Sequence, residues 1–96
     1  MDNSKVIVFT MKGCPFCTEM KDLLIKESID FYDRDIDYHK DEYDMFVKLT
    51  KNEFVPAIMI VEEIGDNHKA HLYAPERDYK ELTEAITIIK RHKNII

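Results

Sequence analysis

Both cysteines of the chain fall in one stretch, Lys12-Gly13-Cys14-Pro15-Phe16-Cys17, which follows almost directly on an unbroken apolar run, Val6-Ile7-Val8-Phe9. A short continuous apolar run that ends at turn residues is the pattern of a strand buried on both faces, so Val6–Phe9 reads as a central strand. Gly13 permits the tight turn that leaves it. Pro15 suits the first position of a helix, where its missing N–H has no intrahelical partner to lose. Strand, turn and helix thus bring a Cys-X-X-Cys pair to a helix start. In a chain with no other cysteine, such a pair points to redox chemistry or metal binding rather than to a structural staple.

The helix that follows is amphipathic. Cys17, Met20, Leu23 and Leu24 recur on one stripe from Pro15 to about Ser28, while Thr18, Glu19, Lys21, Asp22 and Lys26 take the other side. This pattern makes the two thiols unequal: Cys14 sits at the N-cap, facing solvent, and Cys17 lies inside the first turn on the core-facing stripe. Disulfide exchange needs a thiolate, and a free cysteine, with a pKa near ~8.5, is mostly thiol at neutral pH. Unpaired N–H groups and the positive end of the helix dipole favour a thiolate at an N-cap, and Lys12 offers a cation from outside.

Further along, Phe31 to Ile36 reads as a second strand, parallel to the first because a helix joins them. Tyr43, Phe46, Val47 and Thr50 mark a second helix over roughly Asp41 to Lys51, with Asn52 as its stop. Phe54 to Val61 reads as a third strand with Pro56 at its mouth, a place where a sheet accepts proline. Gly65-Asp66-Asn67 supplies a turn, and His68 to Tyr73 returns as an antiparallel hairpin partner. Asp78 and Glu81 resemble a capping box before a last helix whose stripe is Leu82, Ala85, Ile86 and Ile89, with Lys90, Arg91 and Lys93 at its C-terminal end. The order β-α-β-α-β-β-α fits one domain over residues 1–96.

That order, with Cys14-Pro15-Phe16-Cys17 opening a helix after the first strand and Val55-Pro56 before the third, resembles the glutaredoxin branch of the thioredoxin fold. The resemblance implies an α/β fold with a four-stranded mixed sheet between helices. It implies that Cys14 is the nucleophile, Cys17 the resolving thiol, and Val55-Pro56 a cis-proline loop that presents backbone groups to a thiol substrate. Pro15 stiffens the turn and Phe16 offers the substrate an apolar surface; Lys12, Arg77 and Asp78 complete the expected substrate-binding set. The implied activity is reduction of protein disulfides or glutathione mixed disulfides by a cytoplasmic monomer, with glutathione as reductant and no bound cofactor. Ribonucleotide reductase is a family-level partner.

Two stretches depart from the glutaredoxin pattern. The Gly-Gly pair and acidic residue usual after the fourth strand are replaced by Tyr73-Ala74-Pro75-Glu76-Arg77-Asp78, a turn more like that of thioredoxins and disulfide isomerases. The basic residue common three positions before the first cysteine is Met11, with Lys12 one position late. Both departures touch glutathione binding rather than dithiol chemistry, and a thioredoxin-like electron donor reduced by a flavoprotein reductase is the alternative within the class. A metal-binding or interaction module with a vestigial dithiol is the alternative outside it.

Other classes find less support. The net charge of -5 argues against a nucleic-acid backbone as partner. The apolar run after Met1-Asp2-Asn3-Ser4-Lys5 is too short for a signal peptide, and no run approaches a membrane span. A zinc site on the cysteine pair needs two further ligands. His68 and His71 are the only tempting partners, but three apart on a strand they face opposite ways. An iron–sulfur role is disfavoured by Pro15, and no metal-ligand set is expected. Asp33-x-Asp35-x-Asp37 resembles the opening of a calcium loop but has Tyr38 where that loop needs glycine, so it reads as a solvated acidic edge. His39, His68, His71 and His92 read as surface histidines.

Overall fold

The computed structural model describes residues 4–93, so Met1, Asp2 and Asn3 of the N-terminal reading lie outside the described residues. The elements run β1 (Ser4–Thr10), α1 (Pro15–Lys26), β2 (Tyr32–Asp35), α2 (Lys40–Thr50), β3 (Ala57–Ile64), β4 (Asn67–Tyr73) and α3 (Leu82–His92). They occur in the expected order. The four strands form one mixed sheet in the order β2-β1-β3-β4, with β1 parallel to β2 and β3 antiparallel to both β1 and β4.

The apolar run of β1 explains why helices cover both faces. Side chains alternate along a strand, so Val6 and Val8 join one core while Ile7 and Phe9 join the other. Val6 and Val8 pack with Met20 and Leu24 of α1 and with Ala85, Ile86 and Ile89 of α3. On the opposite face, Phe9 meets the rings of Tyr43 and Phe46 from α2 at centroid separations of 5.7 and 5.5 Å. These tilted contacts suit aromatic quadrupoles. The three layers are α1 and α3, then the sheet, then α2.

The bounds of β3 and the start of α3 differ most from the expected ones. Strand β3 starts at Ala57 rather than Phe54 and runs on to Ile64, because its ladder with β4 continues to the Ile64–Asn67 pair. Residues 54–56 stay in the preceding loop, where the Asn52 side chain accepts the Phe54 N–H at 2.9 Å and donates to the Pro75 carbonyl at 2.8 Å.

The start of α3 also lies later than expected. Asp78 does not cap it: its carboxylate accepts the Ala74 N–H at 2.8 Å and the Arg77 guanidinium at 2.8 Å, which closes a turn upstream of the helix. The N-cap is Glu81, and Glu84 accepts the Glu81 N–H at 3.0 Å. The acidic pair that organises the helix start is therefore one turn further on.

Helix α2 gives a direct test of this layering. Phe46 is fully buried against Phe9 whereas Leu49, three residues on, is exposed. Phe46→Ala should cost about 3–5 kcal/mol of unfolding free energy and Leu49→Ala no more than about 0.5 kcal/mol, measured by denaturant titration.

Candidate active site

The end of β1 and the start of α1 build the site. Gly13 takes a positive φ of 74°, which turns the chain sharply out of the strand. No neighbouring atom lies within contact of a Cβ built there, so the backbone angle, not space, favours glycine. Cys14 is then the N-cap of α1 in an extended conformation and Pro15 begins the helix.

Cys14 and Cys17 are joined as a disulfide with a Cα–Cα distance of 5.2 Å, within the span that such bridges need. Their settings differ as the helical stripe predicted. Cys14 is half-buried, and its Sγ accepts the backbone N–H of Cys17 at 3.1 Å, one of the donors that a helix start leaves without an intrahelical partner. Cys17 is 1% exposed, packed inside the first turn.

The surroundings sort the remaining predicted residues into two groups. Phe16, Val55 and Pro56 line one groove of about 430 Å³ together with Glu19, Leu23, Pro75, Glu76 and Tyr79. Phe16 is 63% exposed, so its ring is open to contact. The Val55–Pro56 peptide is cis, as the resemblance implied. Pro15 is exposed at the helix start beside them. Lys12, Arg77 and Asp78 do not line this groove. The Lys12 ammonium lies 5.6 Å from the Tyr38 ring centroid, a cation–π placement. Arg77 is committed to Asp78 at 2.8 Å and to the Leu72 carbonyl at 3.0 Å.

Two residues that support the groove were not singled out for that role by the sequence. Tyr79 is buried, and its hydroxyl donates to the Pro56 carbonyl. Burial raises its pKa strongly and the Asp78 charge adds to the shift, so the phenol stays protonated as a donor. Asn52 ties the loop before Pro56 to the turn at Pro75. Asn52 at a helix stop was a visible signal; the reach of Tyr79 across the fold was not.

Beneath the site, the buried hydroxyl of Thr10, the last residue of β1, donates to Asp33 of β2 at 2.6 Å, and Asp33 pairs with Lys21 of α1 at 3.0 Å. Burial acts to raise the Asp33 pKa, but the Thr10 hydrogen bond and the Lys21 bond and charge outweigh it and hold the carboxyl below its ordinary value of 3.8. Asp33 on the edge strand β2 and Asp37 just after it are exposed, so the stretch is the solvated acidic edge expected, with Asp33 paired to Thr10 and Lys21.

The sheet order, the capping cysteine, the buried second cysteine and the cis-proline loop define a protein of the thioredoxin fold carrying a dithiol pair. Solved thioredoxins share the architecture: the Plasmodium falciparum protein has a TM-score of 0.70 at 15% identity, over 97% of this chain and 73% of that one. A Trichomonas vaginalis thioredoxin gives 0.64 at 18% identity over 94% of this chain and 79% of its own. The thioredoxin of Malassezia sympodialis gives 0.62 at 15% identity over 96% and 79%. No curated protein sequence matches the chain. The glutaredoxin family pattern matches residues 6–64, more than half of the chain, and the chain belongs to that family. Family and paired cysteines together support a thioredoxin-like dithiol oxidoreductase.

Two substitutions test the scaffold. Tyr79→Phe deprives the buried Pro56 carbonyl of its donor and should lower stability by about 1–3 kcal/mol by denaturant titration. Asp33 contributes in a pH-dependent way. A carboxyl whose folded pKa is depressed contributes fully above its unfolded pKa and loses that contribution as pH falls through the folded one. Asp33→Asn should therefore cost about 0.5–1 kcal/mol at pH 7, a modest figure because the pair is partly solvated. Thermal melts of the two proteins should converge as the pH drops from about 5 to about 2.

Proposed function

We propose that the protein is a dithiol–disulfide oxidoreductase of glutaredoxin type that reduces protein disulfides or glutathione mixed disulfides. The observation that carries this reading is the asymmetry of the pair: a half-buried capping Cys14 whose sulfur faces a backbone N–H at 3.1 Å, and a Cys17 that is 1% exposed. In the cycle, the Cys14 thiolate attacks one sulfur of the substrate disulfide, forming a mixed disulfide and releasing the other sulfur as a thiolate. Cys17 gives up its proton, attacks the Cys14 sulfur and releases the second substrate thiolate. The substrate has gained two electrons and the protein holds a Cys14–Cys17 disulfide. Two glutathione thiols, oxidised together to glutathione disulfide, return the dithiol. Phe16, Val55 and Pro56 form the apolar wall against which the substrate rests, in a cytoplasmic monomer. Protein disulfides such as that of ribonucleotide reductase are candidate substrates.

A thioredoxin-like role, with a flavoprotein reductase as electron source, is the second reading. The charge of the groove favours it: Glu19, Glu76 and Glu81 line it against Lys80 alone, while glutathione brings two carboxylates and one ammonium. Arg77 and Asp78 neutralise one another away from the groove, which occupies Arg77 against a glutathione carboxylate and Asp78 against its ammonium.

The two readings part in one comparison. Turnover of a glutathione mixed disulfide is measured with glutathione and glutathione reductase, and reduction of a protein disulfide with thioredoxin reductase as sole electron source. The glutaredoxin reading expects activity in the first assay, its loss in Cys14→Ser, and residual monothiol turnover in Cys17→Ser. Activity in the second assay alone would establish the thioredoxin-like role instead.

A further inference from the structure

At the opposite end of the sheet from the dithiol, three ligand-type side chains converge. Glu62 of β3 pairs across β1 with Ser4, while Cys14 follows the other end of that strand. The seven residues of β1 set these ends roughly 20 Å apart. His71 stands opposite Ile60 on β4 and shares its face with Glu62 and Tyr73. His92, the last residue of α3, comes down onto this face, its ring centroid 4.5 Å from that of His71.

Glu62 serves both imidazoles. One oxygen meets His92 Nδ1 at 2.7 Å and the other lies 3.5 Å from His71 Nε2. His71 Nε2 is buried and makes no hydrogen bond among the described residues. The Tyr73 hydroxyl meets the remaining ring nitrogen, Nε2, of His92 and so fixes the orientation of that imidazole. One ligand atom from each of Glu62, His71 and His92 lies within 4.8 Å of the others.

We propose that Glu62, His71 and His92 bind one divalent zinc-like transition-metal ion. Two imidazoles and a carboxylate suit such an ion, whereas magnesium and calcium require mostly oxygen donors. Tetrahedral bonds of about 2.0–2.1 Å place ligand atoms roughly 3.3 Å apart. The carboxylate reaches His92 Nδ1 at 2.7 Å through one oxygen and His71 Nε2 at 3.5 Å through the other, so small side-chain adjustments bring one ligand atom from each residue to that spacing. With the ion bound, His92 offers the Nδ1 lone pair and carries its proton on Nε2, where Tyr73 accepts it. This outer contact is of the kind that orients histidine ligands in metal sites. The vacant nitrogen of His71 gains a partner, and water takes the fourth position. The ion ties the C-terminal end of α3 to the β3–β4 hairpin without involving the dithiol.

The test is calorimetric titration of Zn²⁺ into the disulfide form at pH 7, in which Cys14 and Cys17 have no thiolate to offer. One ion per chain should bind with a Kd tighter than roughly 30 μM. Affinity should fall at least about tenfold in His71→Ala and in Glu62→Gln and stay unchanged in His68→Ala, a histidine paired outside the cluster. In the unaltered protein, the imidazole signals of His71 and His92 should shift together in NMR spectra and saturate at one equivalent of Zn²⁺, which tests the site without any variant. Weaker binding, an affinity untouched by His71→Ala and Glu62→Gln, or unmoved imidazole signals would overturn the proposal.

Discussion

The backbone N–H of Cys17 points at the sulfur of Cys14, and the fold around the dithiol serves to keep it there. That N–H is unpaired because α1 begins at Pro15, and α1 begins there because Gly13 turns the chain out of β1. Strand β1 is fixed in turn by having a hydrophobic core on each of its faces. A capping sulfur in this position receives partial positive charge from the helix end without a neighbouring charged side chain. The Lys12 ammonium, over the Tyr38 ring, is not needed for that effect.

The partner wall is held by different means. Pro56 belongs to the loop before β3, and its carbonyl is anchored by Tyr79 from the segment before α3. Asn52 joins the same two segments through Pro75. Residues far apart in sequence thus set the width of the groove beside Phe16, while Asp78 and Arg77 are spent on closing the turn. Placing the polar groups of that turn in its own hydrogen bonds leaves a groove whose charge comes mainly from glutamates.

What could be read from the sequence follows the range of the interactions. Local periodicity gave β1, α1 and the unequal burial of Cys14 and Cys17, because a helical stripe is a property of a few consecutive residues. The cap of α3 is not legible locally because Asp78 is an equally good acceptor for a turn, and the choice between turn and cap is settled by the Ala74 N–H. The histidines were harder. His71 shares the period-two face of Tyr73, and His92 continues the stripe of Ile89 three residues on, so both carried a sign of facing inward. Their meeting with Glu62 depends on how α3 lies across the sheet, which no local pattern encodes. His71 and His92 are therefore not the surface histidines that the sequence suggested.

The division of labour between the two sulfurs is the centre of the account, and alkylation measures it directly. The reduced protein is treated with a limiting amount of iodoacetamide at pH 7 and the modified cysteine is located by peptide mass mapping over time. Cys14, at the helix mouth, should react at least roughly tenfold faster than the buried Cys17. Equal rates, or faster modification of Cys17, would contradict the assignment.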